Sequence, residues 1–201
     1  MPLVTYIILI VLVVVFISPL NIHGATGNEI VDYGLRAFYH ANFAHLIANS
    51  ISFLALSTLE EALGSTQYIF AIIFIWIVST LILYTIHKIF PSRKVLTVGF
   101  SGVIFGLVVL YFMESNQNIG TTILVLAISI LPQLFIPGIS FEGHLSGIIA
   151  GFLYVLVFKY GGLDKIFGPR PKLNSNTKSA LGNILKSFNG TGNLGNILAT
   201  N

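Results

Sequence analysis

The sequence predicts an all-α polytopic membrane protein: six transmembrane helices with an interfacial first loop. Three observations predict it. The 201 residues are 55% hydrophobic and only 8% charged, where an ordinary soluble domain carries about 25% charged residues. A globule of this size has too little interior to hide that much apolar surface from water, and the mean hydropathy of +0.88 makes lipid its natural solvent. The apolar residues are gathered into six stretches, to be read against the roughly 20 residues that a spanning helix needs. Turn and polar residues separate them.

In chain order the stretches are Leu3–Ile17, Leu46–Leu63, Tyr68–Ile86, Val98–Met113, Ile119–Ile136 and Leu145–Tyr160. Their separators are Ser18-Pro19, Gly64-Ser65, Pro91-Ser92-Arg93-Lys94, the polar run Glu114 to Asn118, and Pro137-Gly138. The first stretch has no basic leader and no small-x-small cleavage site near Ser18, so it reads as a retained span, not a signal peptide. Leu20 to Asn42 is half apolar, with Tyr33, Leu35, Phe38 and Tyr39 among Asp32, Arg36 and His40. It is expected to be a structured segment lying in the membrane interface. Several stretches are short or open on polar residues, which suggests a polar site at membrane depth.

From Gly161 the composition turns to Asn, Gly, Ser and Lys, the mark of a solvated, disordered tail. The chain therefore divides into a membrane domain, 1–160, and a basic tail, 161–201. From Lys159 onward, six basic residues face Asp164 alone, a net of +5, and the rest of the chain carries −2. The positive-inside rule puts such a tail in the cytoplasm, and an even number of spans puts the N-terminus there too. The Lys88/Arg93/Lys94 loop then falls outside, against the rule. The tail reads as a topology determinant near anionic lipid, and no nucleic-acid partner is expected. With no Cys in the chain, disulfides, thiolate metal sites and cysteine nucleophiles are excluded.

In a bilayer each strongly polar residue is costly and is a functional candidate by default. Three groups stand out: His40/His45/Asn49, Ser101 in Gly99-Phe100-Ser101-Gly102, and His144 in Gly143-His144. They open the second, fourth and sixth stretches, which enter from one face if spans alternate in direction. The three groups are thus expected at one depth, on the side opposite the tail. Gly102 and Gly106 in the fourth stretch, and Gly147 and Gly151 in the sixth, stand i, i+4. Small residues at that spacing let two helix backbones approach closely in lipid. A Ser at the top of one such helix and a His at the top of the other can then meet as nucleophile and base. His45 and Asn49 share one helix face and form a donor pair, and donors aimed at a developing oxyanion contribute about 10²–10³ in rate each. His40 points elsewhere and belongs to the loop. Ser101 at a helix start adds backbone N–H groups and the positive end of the macrodipole.

Taken singly, these signals are weak. Gly-x-Ser-Gly is not the hydrolase elbow, because Val103 stands where that motif needs Gly. Ser is common in apolar helices, where it bonds back to a carbonyl. Glu142 beside His144 reads as a solvated acid sooner than as its orienting partner. His23 and His87 carry no partner signal. The histidines show no metal-ligand spacing, and neither a metal nor a cofactor is expected.

Together, His40-x4-His45-x3-Asn49, Gly99-Phe100-Ser101-Gly102 and Gly143-His144-x2-Gly147-x3-Gly151 resemble the rhomboid intramembrane serine proteases, in that family's order. Glu60-x3-Gly64 is similar to the family's acid and glycine after the second span. The resemblance covers about Met1 to Tyr160. It implies a serine endopeptidase with Ser101 as nucleophile and His144 as general base, a dyad without a required Asp. It also implies an oxyanion hole of His45, Asn49 and backbone N–H groups near Ser101, and a structural His40. Phe105 stands where the family often has Tyr, keeping the face on which the His stacks and losing the hydroxyl. The partners implied are transmembrane protein substrates in a lipid bilayer, and the location implied is the cell membrane of a prokaryote. The sequence carries no sign of oligomeric state. A catalytically inactive, membrane-protein-binding relative is the first alternative. A small transporter is the second, disfavoured because its polar residues would lie at several depths and no internal repeat is present.

Overall fold

The computed structural model describes residues 1–18, 26–91, 97–115, 118–135 and 140–159. Within them the chain is all helix: α1 (Leu3–Ile17), α2 (Glu29–Leu35), α3 (Phe43–Ala55), α4 (Ser57–Leu63), α5 (Ser65–Ile89), α6 (Ser101–Glu114), α7 (Ile119–Ile130) and α8 (Phe141–Tyr154). Short 3-10 turns follow α2 and α7 at Arg36–Phe38 and Leu131–Phe135, and a π turn continues α8 over Val155–Lys159. Phe43–Leu63, Ser65–Ile89 and Phe141–Phe158 are long and apolar enough to cross a membrane, and Leu3–Ile17, Ser101–Glu114 and Ile119–Phe135 are shorter apolar helices. Ile10, Ile51, Ile123, Ile128 and Leu156 are each more than half exposed on the outer faces of these helices. Such a belt is tolerable only against hydrocarbon. The protein is an integral membrane protein.

Hydropathy located the helices, but capping residues set their ends. Asn42 accepts from His45 N at 2.9 Å, so α3 starts three residues before the apolar stretch at Leu46. Ser140 accepts from Gly143 N at 3.0 Å, and α8 starts at Phe141 rather than Leu145. These are side chains satisfying the orphan N–H groups of a first helical turn. The second stretch is broken at Leu56 into α3 and α4, α5 runs past Tyr68–Ile86 at both ends, and α6 starts at Ser101, three residues after Val98. Pro132 lacks the N–H that would continue α7, which gives way to a 3-10 turn at Leu131. The expected tail, 161–201, lies outside the described residues, as do His23, Arg93, Lys94 and Pro137-Gly138.

The most extensive contact joins α6 to α8, and α5 backs both. The helices cross where Gly102 faces Gly147 and Gly106 faces Gly151. A Cβ on Gly147 would collide with the Gly102 carbonyl, and one on Gly106 would come within 2.8 Å of the Gly147 carbonyl. That close approach fixes how α6 and α8 present their first turns.

Two further ties hold the frame. Pro2 gives α1 no side-chain cap. Buried Glu60 supplies one from α4, accepting from Val4 N at 2.8 Å, Thr5 N at 2.9 Å and Thr5 Oγ1 at 2.9 Å. It also accepts from Ser65 Oγ at 2.7 Å, at the start of α5. A carboxylate at a helix N-terminus meets both the free N–H groups and the positive dipole end. The part of the first loop that is described, 26–42, is structured as expected. It lies on α5, where Trp76 Nε1 donates to the Gly34 carbonyl at 2.8 Å and Tyr33 Oη meets His87 Nδ1 at 3.0 Å. His87 therefore has the partner that its sequence context did not show. Lys88, in the last turn of α5, pairs with Glu29 at 2.7 Å, which offsets part of the positive charge expected there.

Candidate functional site

Three helix N-termini converge on one cavity of about 420 Å³, lined by His45 and Asn49 from α3, Ser101, Ile104 and Phe105 from α6, and Ser140 and His144 from α8. Each arrives there for a local reason. The Asn42 cap starts α3 two residues before His45. α6 begins at Ser101 with no side-chain cap, so the first turn presents backbone N–H groups and the positive dipole end beside the hydroxyl. The Ser140 cap starts α8, and Thr97 Oγ1 lies 2.8 Å from Ser140 Oγ, tying the segment before α6 to the start of α8.

Ser101 Oγ lies 2.8 Å from His144 Nε2, across 43 residues of sequence. The Phe105 ring, one turn below Ser101, packs on the His144 ring at a centroid distance of 4.5 Å and 31° between planes. Phe105 thus supplies the stacking face without needing a hydroxyl. The other imidazole nitrogen, Nδ1, is taken by Gln133 Oε1 from the 3-10 turn after α7. Glu142 is not the group that meets that nitrogen; its carbonyl accepts from Ser146 Oγ inside α8.

His45 and Asn49 meet at Gly99. The backbone of Gly99 has φ +110°, and a Cβ there would lie 2.9 Å from His45 Nε2 and 3.3 Å from Asn49 Nδ2. Only a residue without a side chain allows both the left-handed backbone and two side-chain nitrogens this close to the chain two residues before Ser101. The Gly99 N–H donates to the Arg36 carbonyl at 3.0 Å, so the first loop holds this bend. Asn49 is buried, and its Nδ2 has no hydrogen-bond partner among the described residues. A buried amide NH₂ facing a cavity is a donor held ready for an acceptor.

His40 lies in the loop before α3, buried, with its ring edge-on to His45 at 5.2 Å. Burial, reinforced by the neighbouring His45, lowers its pKa from 6.5 to about 4. The folded state therefore holds His40 neutral where an unfolded chain takes up a proton. Its contribution is constant above about pH 6.5 and is lost as pH falls from there toward 4. Thermal melts in detergent at pH 7.5 and pH 4.5 are expected to show a drop in Tm that is smaller in His40→Phe than in the wild type. An equal drop in both would remove His40 as a contributor.

The sequence did not point to Gln133, the Thr97–Ser140 tie or the Arg36 carbonyl. Only Gln133 carried a usable signal: a neutral amide inside an apolar stretch, directly after Pro132, is expensive in lipid and so a candidate.

The Rhomboid domain family matches residues 27–161. A protein of Acanthamoeba polyphaga mimivirus, provisionally named a rhomboid protein, is 57% identical over 77% of this chain and 90% of its own length. A protein of Arabidopsis thaliana named rhomboid-like protein 14, mitochondrial, is 32% identical over 66% of this chain and 45% of its own. An uncharacterised protein of Mycobacterium tuberculosis is 34% identical over 56% of this chain and 52% of its own. With the family match spanning more than half of the sequence, and every residue that lines the paired hydroxyl and imidazole inside it, this chain belongs to the rhomboid family.

Proposed function

We propose that this chain is an intramembrane serine endopeptidase that cuts the transmembrane segments of single-span proteins near the outer face. The observation that carries the reading is Ser101 Oγ at 2.8 Å from His144 Nε2, on a cavity shared with two side chains that bear N–H donors. His144 takes the Ser101 proton as Oγ attacks the scissile carbonyl. The N–H groups of His45, Asn49 and the start of α6 receive the oxyanion. His144 then gives the proton to the departing amine, and a water that enters from the aqueous side repeats the sequence on the acyl-enzyme. The six apolar helical segments are the six spans of this reading. Both termini face the cytoplasm, with the basic tail as the determinant. A prokaryotic cell membrane remains the proposed setting, with the mimivirus relative the observation that weighs against it.

A substrate helix hides its carbonyls in i→i−4 bonds, so the scissile segment must unwind. Preferred substrates carry Gly, Ala, Ser or Pro near the outer end of the span, where helix propensity is low. An apolar cavity of about 390 Å³ lies between α3, α6 and α7 and shares Ser52, Ile104 and Phe105 with the polar one. This supports lateral entry between the second and fifth spans, with α7 moving to admit substrate. A crosslink joining α3 to α7 is expected to abolish cleavage of membrane substrates; full-rate cleavage by the crosslinked protein would put the entrance elsewhere.

The test of the activity is reconstitution in liposomes with a fluorescent single-span substrate, in parallel with fluorophosphonate labelling. The proteolytic reading expects both cleavage near the outer end and labelling. Neither appearing would favour the inactive, binding relative. Within the active protein, Asn49→Ala is expected to lower kcat by about 10²–10³ with KM held within a few-fold, because it removes an interaction made with developing charge. A rise in KM alone would assign Asn49 to substrate binding.

A further inference from the structure

We propose that Gln133 is the positioning residue of the His144 base, making a hydrogen-bonded chain Ser101–His144–Gln133 across three helical segments. This rests on the proteolytic reading for its consequence in catalysis, but not for its geometry. Gln133 sits half-buried in the 3-10 turn Leu131–Phe135. Its Nε2 donates to the Ser129 carbonyl at 3.0 Å, and its Oε1 lies within hydrogen-bond distance of His144 Nδ1. Only one amide orientation satisfies both contacts, because the Ser129 carbonyl can only accept. The oxygen must therefore face the imidazole. An amide oxygen cannot donate, so Nδ1 carries the proton. In the neutral ring Nε2 is then the bare nitrogen, 2.8 Å from Ser101 Oγ, and it accepts the serine proton. A ring's tautomer is set by the hydrogen bond its other nitrogen makes, and here that bond comes from a neutral amide where other serine hydrolases use an acid.

The stacking contact from α6 does not do this job. Phe105 on α6 fixes the plane of the ring by stacking, which leaves rotation within that plane and the choice of tautomer open. Gln133 supplies both. Pro132 matters here too, since it turns α7 into the 3-10 geometry on which the next side chain reaches His144.

The experiment compares wild type, Gln133→Met and Gln133→Glu in liposomes. Met matches the length of Gln and offers no comparable acceptor, and Glu keeps an acceptor oxygen. Cleavage and fluorophosphonate labelling are measured beside the ¹⁵N spectrum of His-labelled protein, with the His144 signal assigned by its loss in His144→Ala. The proposal expects Gln133→Met to lower kcat and the labelling rate by about 10- to 100-fold, a part of the roughly 10²–10⁴ that a positioned general base contributes, with KM within about twofold. It expects Gln133→Glu to restore most of that loss. It also expects a protonated Nδ1 in the wild type that gives way to mixed tautomers in Gln133→Met. Wild-type rates in Gln133→Met, or a His144 signal that does not respond to it, overturns the proposal. Should the wild type neither cleave nor label while the spectrum still responds as expected, the positioning role stands and the proteolytic reading falls.

Discussion

Ser101→Ala is expected to reduce cleavage of a reconstituted single-span substrate by at least about 10³-fold and to abolish fluorophosphonate labelling. The change removes one oxygen and leaves the α6 backbone, Phe105 and the cavity in place, so binding of the substrate helix should survive. What is lost is the atom that His144 Nε2 faces at 2.8 Å. Removing a nucleophile or its base from such a pair costs nearly as much as removing both, because the two act as a unit. His144→Ala should therefore match Ser101→Ala, and the double variant should be no worse than either. Initial rates on equal amounts of folded protein decide it. Cleavage by Ser101→Ala above about 1% of wild type would mean that the hydroxyl is not the nucleophile.

Gly147→Val should be the most damaging change away from the reacting atoms. The α6 and α8 backbones touch at this point, and any Cβ on Gly147 overlaps the Gly102 carbonyl. The clash is with main chain, so no side chain can swing aside. Overpacking a close-packed site costs about 1–3 kcal/mol even where side chains yield, and here two helices must separate. Ser101 and His144 ride on the first turns of those helices, Ser101 next to Gly102 and His144 one turn above Gly147. Their separation should therefore grow with that of the helices, and activity should fall at least about 10²-fold alongside a clear drop in Tm. Melting in detergent and cleavage in liposomes measure the two effects. A Gly147→Val protein that melts and cuts like the wild type would show that this contact does not set the distance between hydroxyl and imidazole.

Much of this architecture was legible in composition and spacing. Six apolar stretches became six apolar helical segments, because burial in lipid is a property of residue type. Ser101, His144, His45 and Asn49 were legible as a set because polar residues are rare enough in such a chain for each to carry weight. Helix ends were less legible: α8 begins at Phe141 because Ser140 caps it, and a capping bond leaves little trace in hydropathy. The Leu56 break and the service of Glu60 to α1 were hidden for a similar reason. A carboxylate 55 residues from Thr5 is not adjacent to it in any local pattern.

By itself, then, the amino-acid order determined the solvent, the helical segments and the inventory of reactive groups, since hydrophobicity, turn chemistry and small-residue spacing are local properties. The tertiary structure decided which nitrogen of His144 faces Ser101, which donors flank it at Gly99, and that Gln133 holds the remaining nitrogen. Those outcomes are distances between groups brought together from different helices, and for Ser101 and His144 the distance is set by how close two glycine-faced backbones can come.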